Sequence, residues 1–200
     1  MRSFLLVLLL CCAGAQAGTL LVLGDSLSAG YGLAPGEGWV TLLQGRIAAH
    51  QLSWQVVNAS ISGDTTAGGL ARLDDALQRS HPDWVLVELG ANDGLRGLPL
   101  SAMRRNLDAI VTRARAHGAR VLLIGMRLPP NYGPHYTDGF QRVYRDLAAS
   151  RHLPLVPFLM DGVALDPALV QADQLHPTAA AQPQLLDNVW RVLAPLLSQP

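Results

Sequence analysis

Five short apolar runs punctuate the chain: TLLVLG at 19–24, WQVVNAS at 54–60, DWVLVELG at 83–90, ARVLLIGM at 119–126 and LPLVPF at 153–158. None alternates apolar with polar positions, and uninterrupted runs of this length belong to strands covered on both faces. Between them apolar residues return every three or four positions, the period of a helix with one buried stripe. The segment from Ser101 shows this best, with Met103, Leu107, Ile110, Val111 and Ala114 on one stripe and Arg104, Arg105, Arg113 and Arg115 pointing outward. Ser101 is expected to cap its start and Gly118 to end it. A last helix is expected from Pro177 to Leu193, through Leu185, Leu186, Val189 and Trp190. Strands alternating with helices predict an α/β fold, a five-stranded parallel sheet with helices on both sides. No repeat, low-complexity tract or linker interrupts the pattern, so residues 18–200 are expected to form one domain.

The N-terminus stands outside that pattern. MRSFLLVLLLCCAGAQA has a positive charge at Arg2, an apolar stretch from Phe4, and small residues at Ala15 and Ala17, the layout of a secretory signal. It is too short to span a bilayer. Residues 1–17 are therefore expected to be removed after Ala17, leaving a periplasmic or secreted chain. Both cysteines of the sequence, Cys11 and Cys12, fall inside the signal, so no disulfide or thiol chemistry is expected afterwards. A lipid anchor on Cys12 is the rival reading; it normally needs a small residue where Cys11 stands.

Charge narrows the chemistry. The chain has 15 basic and 15 acidic residues, and every basic one is arginine. Without lysine there is no GxxxxGK[ST] phosphate loop, no Schiff base and no SxxK acyl-transfer motif. No basic run interleaved with aromatics points to nucleic acid. The six histidines are dispersed without metal-ligand spacing, so no metal site is expected.

In an open parallel sheet, ligands bind beyond the carboxyl ends of the strands. That rule sorts the histidines. His50, His81, His117 and His152 precede strands and lie at the wrong edge, whereas His135 and His176 follow strands. Ser26, Ser60, Ser62, Asp64, Asn92, Asp93 and Asp173 also pass. A serine becomes a nucleophile only when an imidazole takes its proton, and the imidazole needs a carboxylate to fix its tautomer. ADQLHP supplies Asp173 and His176 three residues apart, and His135 has a similar neighbour in Asp138. Spacing alone leaves both open. An oxyanion needs donors; the Ser26 N–H, Gly63 in SISGDTT and the Asn92 amide in LGAND are the candidates. Leu95, Leu98, Met126, Leu128, Pro129 and Tyr132, in the loops after the third and fourth strands, are expected to line an acyl trough. Asp25, Asp64 and Asp93 read as loop-bracing carboxylates, His135 as a surface loop residue and the four tryptophans as core. Glu88, inside a buried strand, requires a partner or a raised pKa.

GDSLS with Ser26, Gly63 after the second strand, GAND with Asn92, and DQLHP with Asp173 and His176 resemble, in order, blocks of the SGNH (GDSL) hydrolase family. NASISGDTTAGGLARL, ELGANDGLRG and LPPNYG resemble a subgroup of secreted bacterial esterases with thioesterase and lysophospholipase activities. The resemblance spans essentially all of the chain after the signal. It implies a flavodoxin-like, three-layer α/β/α sandwich; Ser26, His176 and Asp173 as the catalytic triad; and Ser26, Gly63 and Asn92 as the oxyanion hole. It further implies hydrolysis of small acyl esters, thioesters or lysophospholipids without metal or cofactor; a monomer is expected. One departure is Gln174, where the family commonly has glycine. Two other readings share these residues: a deacetylase of acetylated carbohydrate, which needs a short polar pocket, and a non-catalytic ligand-binding module.

Overall fold

The computed structural model describes residues 17–198; residues 1–16 of the expected signal, with Cys11 and Cys12, lie outside the described residues. Five strands, β1 (Gly18–Gly24), β2 (Trp54–Asn58), β3 (Trp84–Glu88), β4 (Arg120–Ile124) and β5 (Leu155–Val156), form one parallel sheet in the order β2-β1-β3-β4-β5. This is the flavodoxin-like order, whose crossovers reverse direction beside β1 and open a crevice there. The register runs unbroken from Leu20↔Trp84 to Gly24↔Glu88 on one side of β1 and from Gly18↔Trp54 to Val22↔Asn58 on the other.

Helix α2 (Trp39–Ala49) packs with α7 (Gln182–Leu197), and α5 (Leu100–Ala116) packs with α3 (Thr66–Ser80) and α6 (Pro134–Arg151), giving the two outer layers. Two short helices, α1 (Ser26–Ala29) and α4 (Ala91–Leu95), follow β1 and β3 directly. The core is the sheet itself: Leu20 to Leu23 and Val85 to Val87 are wholly buried between the layers. Trp39 and Trp84 join it, while Trp54 and Trp190 are half-buried against it. Among the described residues no helix is long and apolar enough to cross a membrane.

Some boundaries differ from the sequence pattern, each for a local reason. Strands β3 and β4 end before their apolar runs do, because Leu89 and Met126 leave the sheet yet stay buried. Helix α5 starts at Leu100 behind Pro99, so Ser101 sits in its first turn and caps nothing; Gly118, left-handed at φ 87°, follows the C-cap His117. Helix α7 starts at Gln182 rather than Pro177. Pro177 and Thr178 are held instead by an antiparallel bridge to Val170 and a 2.8 Å bond to the Leu169 carbonyl.

His50, His81, His117 and His152 are the C-caps of α2, α3, α5 and α6, all at the amino edge of the sheet. The edge rule placed them correctly.

Gly90 links β3 to α4 at φ 121°, and a Cβ there would collide with Tyr144 Oη and lie 2.6 Å from Met103 Cε. The same hydroxyl donates to the Leu89 carbonyl at 2.9 Å. Gly90→Ala is expected to cost about 3 kcal/mol, combining backbone strain with overpacking, in urea denaturation monitored by circular dichroism.

Candidate active site

The chain leaves β1 at Gly24 and turns at once into α1. Asp25 is the N-cap, its Oδ1 accepting the Leu27 N–H at 3.1 Å, and Gly30 closes the turn in the left-handed region. Ser26 is thus the first residue of a helical turn, where the backbone N–H has no acceptor within the helix. Gly24 cannot be larger: a Cβ would stand 2.7 Å from Ser28 Cβ and 2.9 Å from Glu88 Oε2.

The turn from Gln171 to Thr178 brings the base. The Gln171 N–H donates to the His176 carbonyl at 2.7 Å, closing the turn on itself. Asp173 Oδ1 accepts the Leu175 and His176 backbone N–H groups at 3.0 Å each, which leaves Oδ2 free to face His176 Nδ1 at 2.6 Å. With Nδ1–H donating to that carboxylate, Nε2 is the acceptor for the Ser26 hydroxyl, 2.9 Å away. The His176 backbone N–H holds the Asp173 carboxyl down at about 2, so it is an anion at any working pH. Tyr31 packs its ring 4.5 Å from the imidazole. Gln174 adopts φ 57°, the left-handed conformation that glycine takes freely. Gln174 therefore keeps the turn at a cost of about 1 kcal/mol.

The candidate oxyanion donors sit on adjacent loops. Gly63 lies at φ 81° on an exposed turn, and its N–H makes no hydrogen bond among the described residues. It is not among the residues that line the cavity beside Ser26. Asn92 Nδ2, on α4, donates to the Asp64 carbonyl at 2.9 Å and to Asp25 Oδ2 at 3.2 Å, so the amide is tied to both neighbouring loops. Asp64 is ion-paired with Arg72 at 2.7 Å. Asp93 accepts from the Thr66 backbone N–H at 2.8 Å and from its hydroxyl at 2.5 Å. His135 and Asp138 lie exposed on α6 rather than in a loop, because Pro134 starts that helix, and neither reaches the cavity.

The profile of the GDSL-like Lipase/Acylhydrolase family matches residues 22–182. The chain belongs to that family. It is 52% identical over 201 residues to Esterase TesA of Pseudomonas aeruginosa, covering 98% of this chain and 100% of the relative. It is 45% identical over 195 residues to Thioesterase 1/protease 1/lysophospholipase L1 of Escherichia coli strain K12, covering 98% and 92%. The crystal structure of psychrotrophic esterase EstA from Pseudoalteromonas sp., inhibited by monoethylphosphonate, superimposes with a TM-score of 0.87 at 43% identity, covering 91% of this chain and 100% of that one.

In this GDSL-family chain a cavity of about 380 Å³ opens beside Ser26, Asn92 and His176. Of the expected trough, Leu95, Met126, Leu128 and Pro129 line it. Leu98 and Tyr132 do not. Leu98 faces outward beyond α4, and Tyr132 props the wall from behind, its hydroxyl donating to the Leu95 carbonyl at 2.9 Å. Phe158 and Met160 also line the cavity. They follow the fifth strand, so the edge rule that selected His176 would have found them.

Glu88 is wholly buried beneath this loop. Its Oε2 accepts the Ser28 hydroxyl at 2.7 Å and the Asp25 N–H at 3.4 Å, while Oε1 has no partner among the described residues. Desolvation, then the Asp25 charge, push its carboxyl well above the usual 4.5. Folding therefore retains a proton that the unfolded chain releases, so this group subtracts stability increasingly as pH rises above about 4.5. Glu88→Gln removes that penalty. Its stability relative to the native chain is expected to rise between pH 5 and pH 7, by at most about 1.4 kcal/mol per pH unit, in urea titrations; a pH-independent difference would mean the acid is ionised in the fold.

Proposed function

We propose that this chain is an exported serine ester hydrolase that cleaves carboxylic esters and thioesters, lysophospholipids among them, through an acyl-enzyme on Ser26. The observation behind this is the continuous line from the Ser26 hydroxyl through His176 to Asp173, at 2.9 Å and 2.6 Å, at the mouth of an apolar cavity. The names of the relatives agree: esterase, and thioesterase, protease and lysophospholipase. Removal of residues 1–17 before function is part of the same reading.

Ser26 attacks the acyl carbonyl while His176 Nε2 takes the hydroxyl proton. The oxygen that becomes negative is held by the N–H groups of Ser26 and Gly63 and by the Asn92 amide. His176 then protonates the leaving alcohol or thiol, and in the second half activates the water that frees the acid. Asp173, anionic throughout, keeps Nδ1 protonated and stabilises the imidazolium. The hydrocarbon chain of the acyl group lies along Met126, Leu128 and Phe158. Such walls suit an acyl chain better than the acetyl group of a sugar, which weighs against the deacetylase reading.

Ser26→Ala is expected to fold normally, to lose p-nitrophenyl ester turnover by at least about 10³-fold, and to lose labelling by a fluorophosphonate. Retained turnover would reject the assignment. Leu128→Ala is expected to lower kcat/KM for long acyl chains about tenfold relative to acetate, the loss of a few buried methylenes; an unchanged chain-length profile removes Leu128 from the acyl wall.

A further inference from the structure

We infer that the loops around the mouth of the cavity form a docking surface for a phospholipid layer, held there by a ring of exposed apolar side chains. The inference deepens the hydrolase reading above and rests on it only for the acyl chain that such a layer delivers.

The observation is where the chain exposes its large apolar side chains. Among the described residues these are Tyr31, Ile61, Leu98, Leu165 and Leu175. Every one lies on a loop that follows a strand, and none lies on the outer helices or at the amino edge of the sheet. Single apolar residues scattered over a surface need no explanation, but five confined to one rim mark a contact.

The loops that carry them are joined around the site. Tyr31 sets its ring 4.5 Å from the His176 imidazole. Ile61 donates its N–H to the Gly24 carbonyl at 3.1 Å, and Arg96 donates to the Gly63 carbonyl at 2.8 Å, which links the loop of Ile61 to that of Leu98. Leu165, 96% exposed, and Leu175 line the cavity as well, so two of the five belong at once to the outer surface and to the acyl site.

That continuity selects the occupant. A second copy, or another protein, seated on this ring would cover the mouth through which substrate reaches Ser26. A phospholipid layer covers the same ring and itself supplies the substrate, because an acyl tail leaving it passes from one apolar medium into another without crossing water. Charge agrees with this. Arg96 and Arg127 are exposed and enter no ion pair among the described residues, and Arg127 lies over the Phe158 ring at the cavity wall. Their stems can rest on the apolar side while the guanidinium groups meet phosphate. Asp161 and Asp166, exposed on the loop of Leu165, bring the opposite sign. A ring with both signs complements headgroups that carry phosphate and ammonium together.

The test is co-sedimentation of the Ser26→Ala chain, which consumes no lipid, with phosphatidylcholine vesicles. The vesicles are expected to carry the protein down, also in about 1 M salt, where charges are screened beyond about 3 Å. Ile61→Gln combined with Leu98→Gln, both outside the cavity wall, is expected to weaken binding at least about tenfold. With Ser26 intact, the same pair is expected to keep p-nitrophenyl acetate turnover within about twofold, which shows that it folds. Should it not fold, Leu165→Gln takes its place in the sedimentation. Absence of binding, binding that salt abolishes, or binding that the substitutions leave unchanged would each overturn the proposal. So would a dimer in gel filtration that the pair dissolves, without vesicle binding, since the rim would then belong to a second copy. Ester turnover without vesicle binding removes docking alone; vesicle binding by a native chain that neither turns over esters nor reacts with a fluorophosphonate removes the hydrolase reading and leaves docking.

Discussion

Parallel hydrogen bonding of β1 to β2 on one side and to β3 on the other is the constraint on which the site depends. Strands that run the same way release their following loops at one edge, and neighbouring strands are only about 4.8 Å apart. Ser26 follows β1, Gly63 follows β2 and Asn92 follows β3, so residues separated by dozens of positions arrive at one rim. The reversal of crossover direction beside β1 leaves the crevice uncovered there. The nucleophile and two candidate donors are thus placed by backbone pairing before any side chain makes a contact.

Polar side chains then lace the loops together. Arg72 reaches from α3 to Asp64, to the Ala59 carbonyl and to the Gly24 carbonyl, tying the ends of β1 and β2 to one guanidinium. Its planar fork of five donors suits that task, whereas a lysine ammonium would not span three acceptors in these directions. The Asp64 carbonyl, fixed in turn, orients Asn92. Beneath them Glu88 and Asp25 share a space that tolerates a single charge, since two carboxylates that close do not both ionise without water. Buried acids at the end of β3 and the start of α1 are unfavourable for stability, and their position directly under the nucleophile is where such a cost is compatible with a functional gain.

The sheet and the edge of the site were legible in the sequence because buried parallel strands are written as unbroken apolar runs, and because the loops that follow them share one side. The runs overstated strand length at Leu89 and Met126, since apolarity records burial and not hydrogen bonding. The choice between His135 and His176 was not legible from spacing. Both have an aspartate three residues away, and only the tertiary path, in which α6 carries His135 off along the surface, separates them. The starts of α5 and α7 were missed where proline and a bridge to Val170 overrode the apparent caps. Leu98 and Tyr132 followed the correct strands but turned away from the cavity, a matter of side-chain direction within a loop that no periodicity encodes.

The turn that presents His176 is built differently from the rest of the site. It closes on itself through the Gln171–His176 bond and the Val170–Pro177 bridge, and it meets the loop after β1 through the His176–Ser26 bond, the Tyr31 ring against the imidazole and a side-chain bond from Gln171 to the Tyr31 carbonyl. Each of those contacts ends on the stretch from Ser26 to Tyr31, so the imidazole takes its bearings from the same loop that carries the hydroxyl and not from the strands beneath.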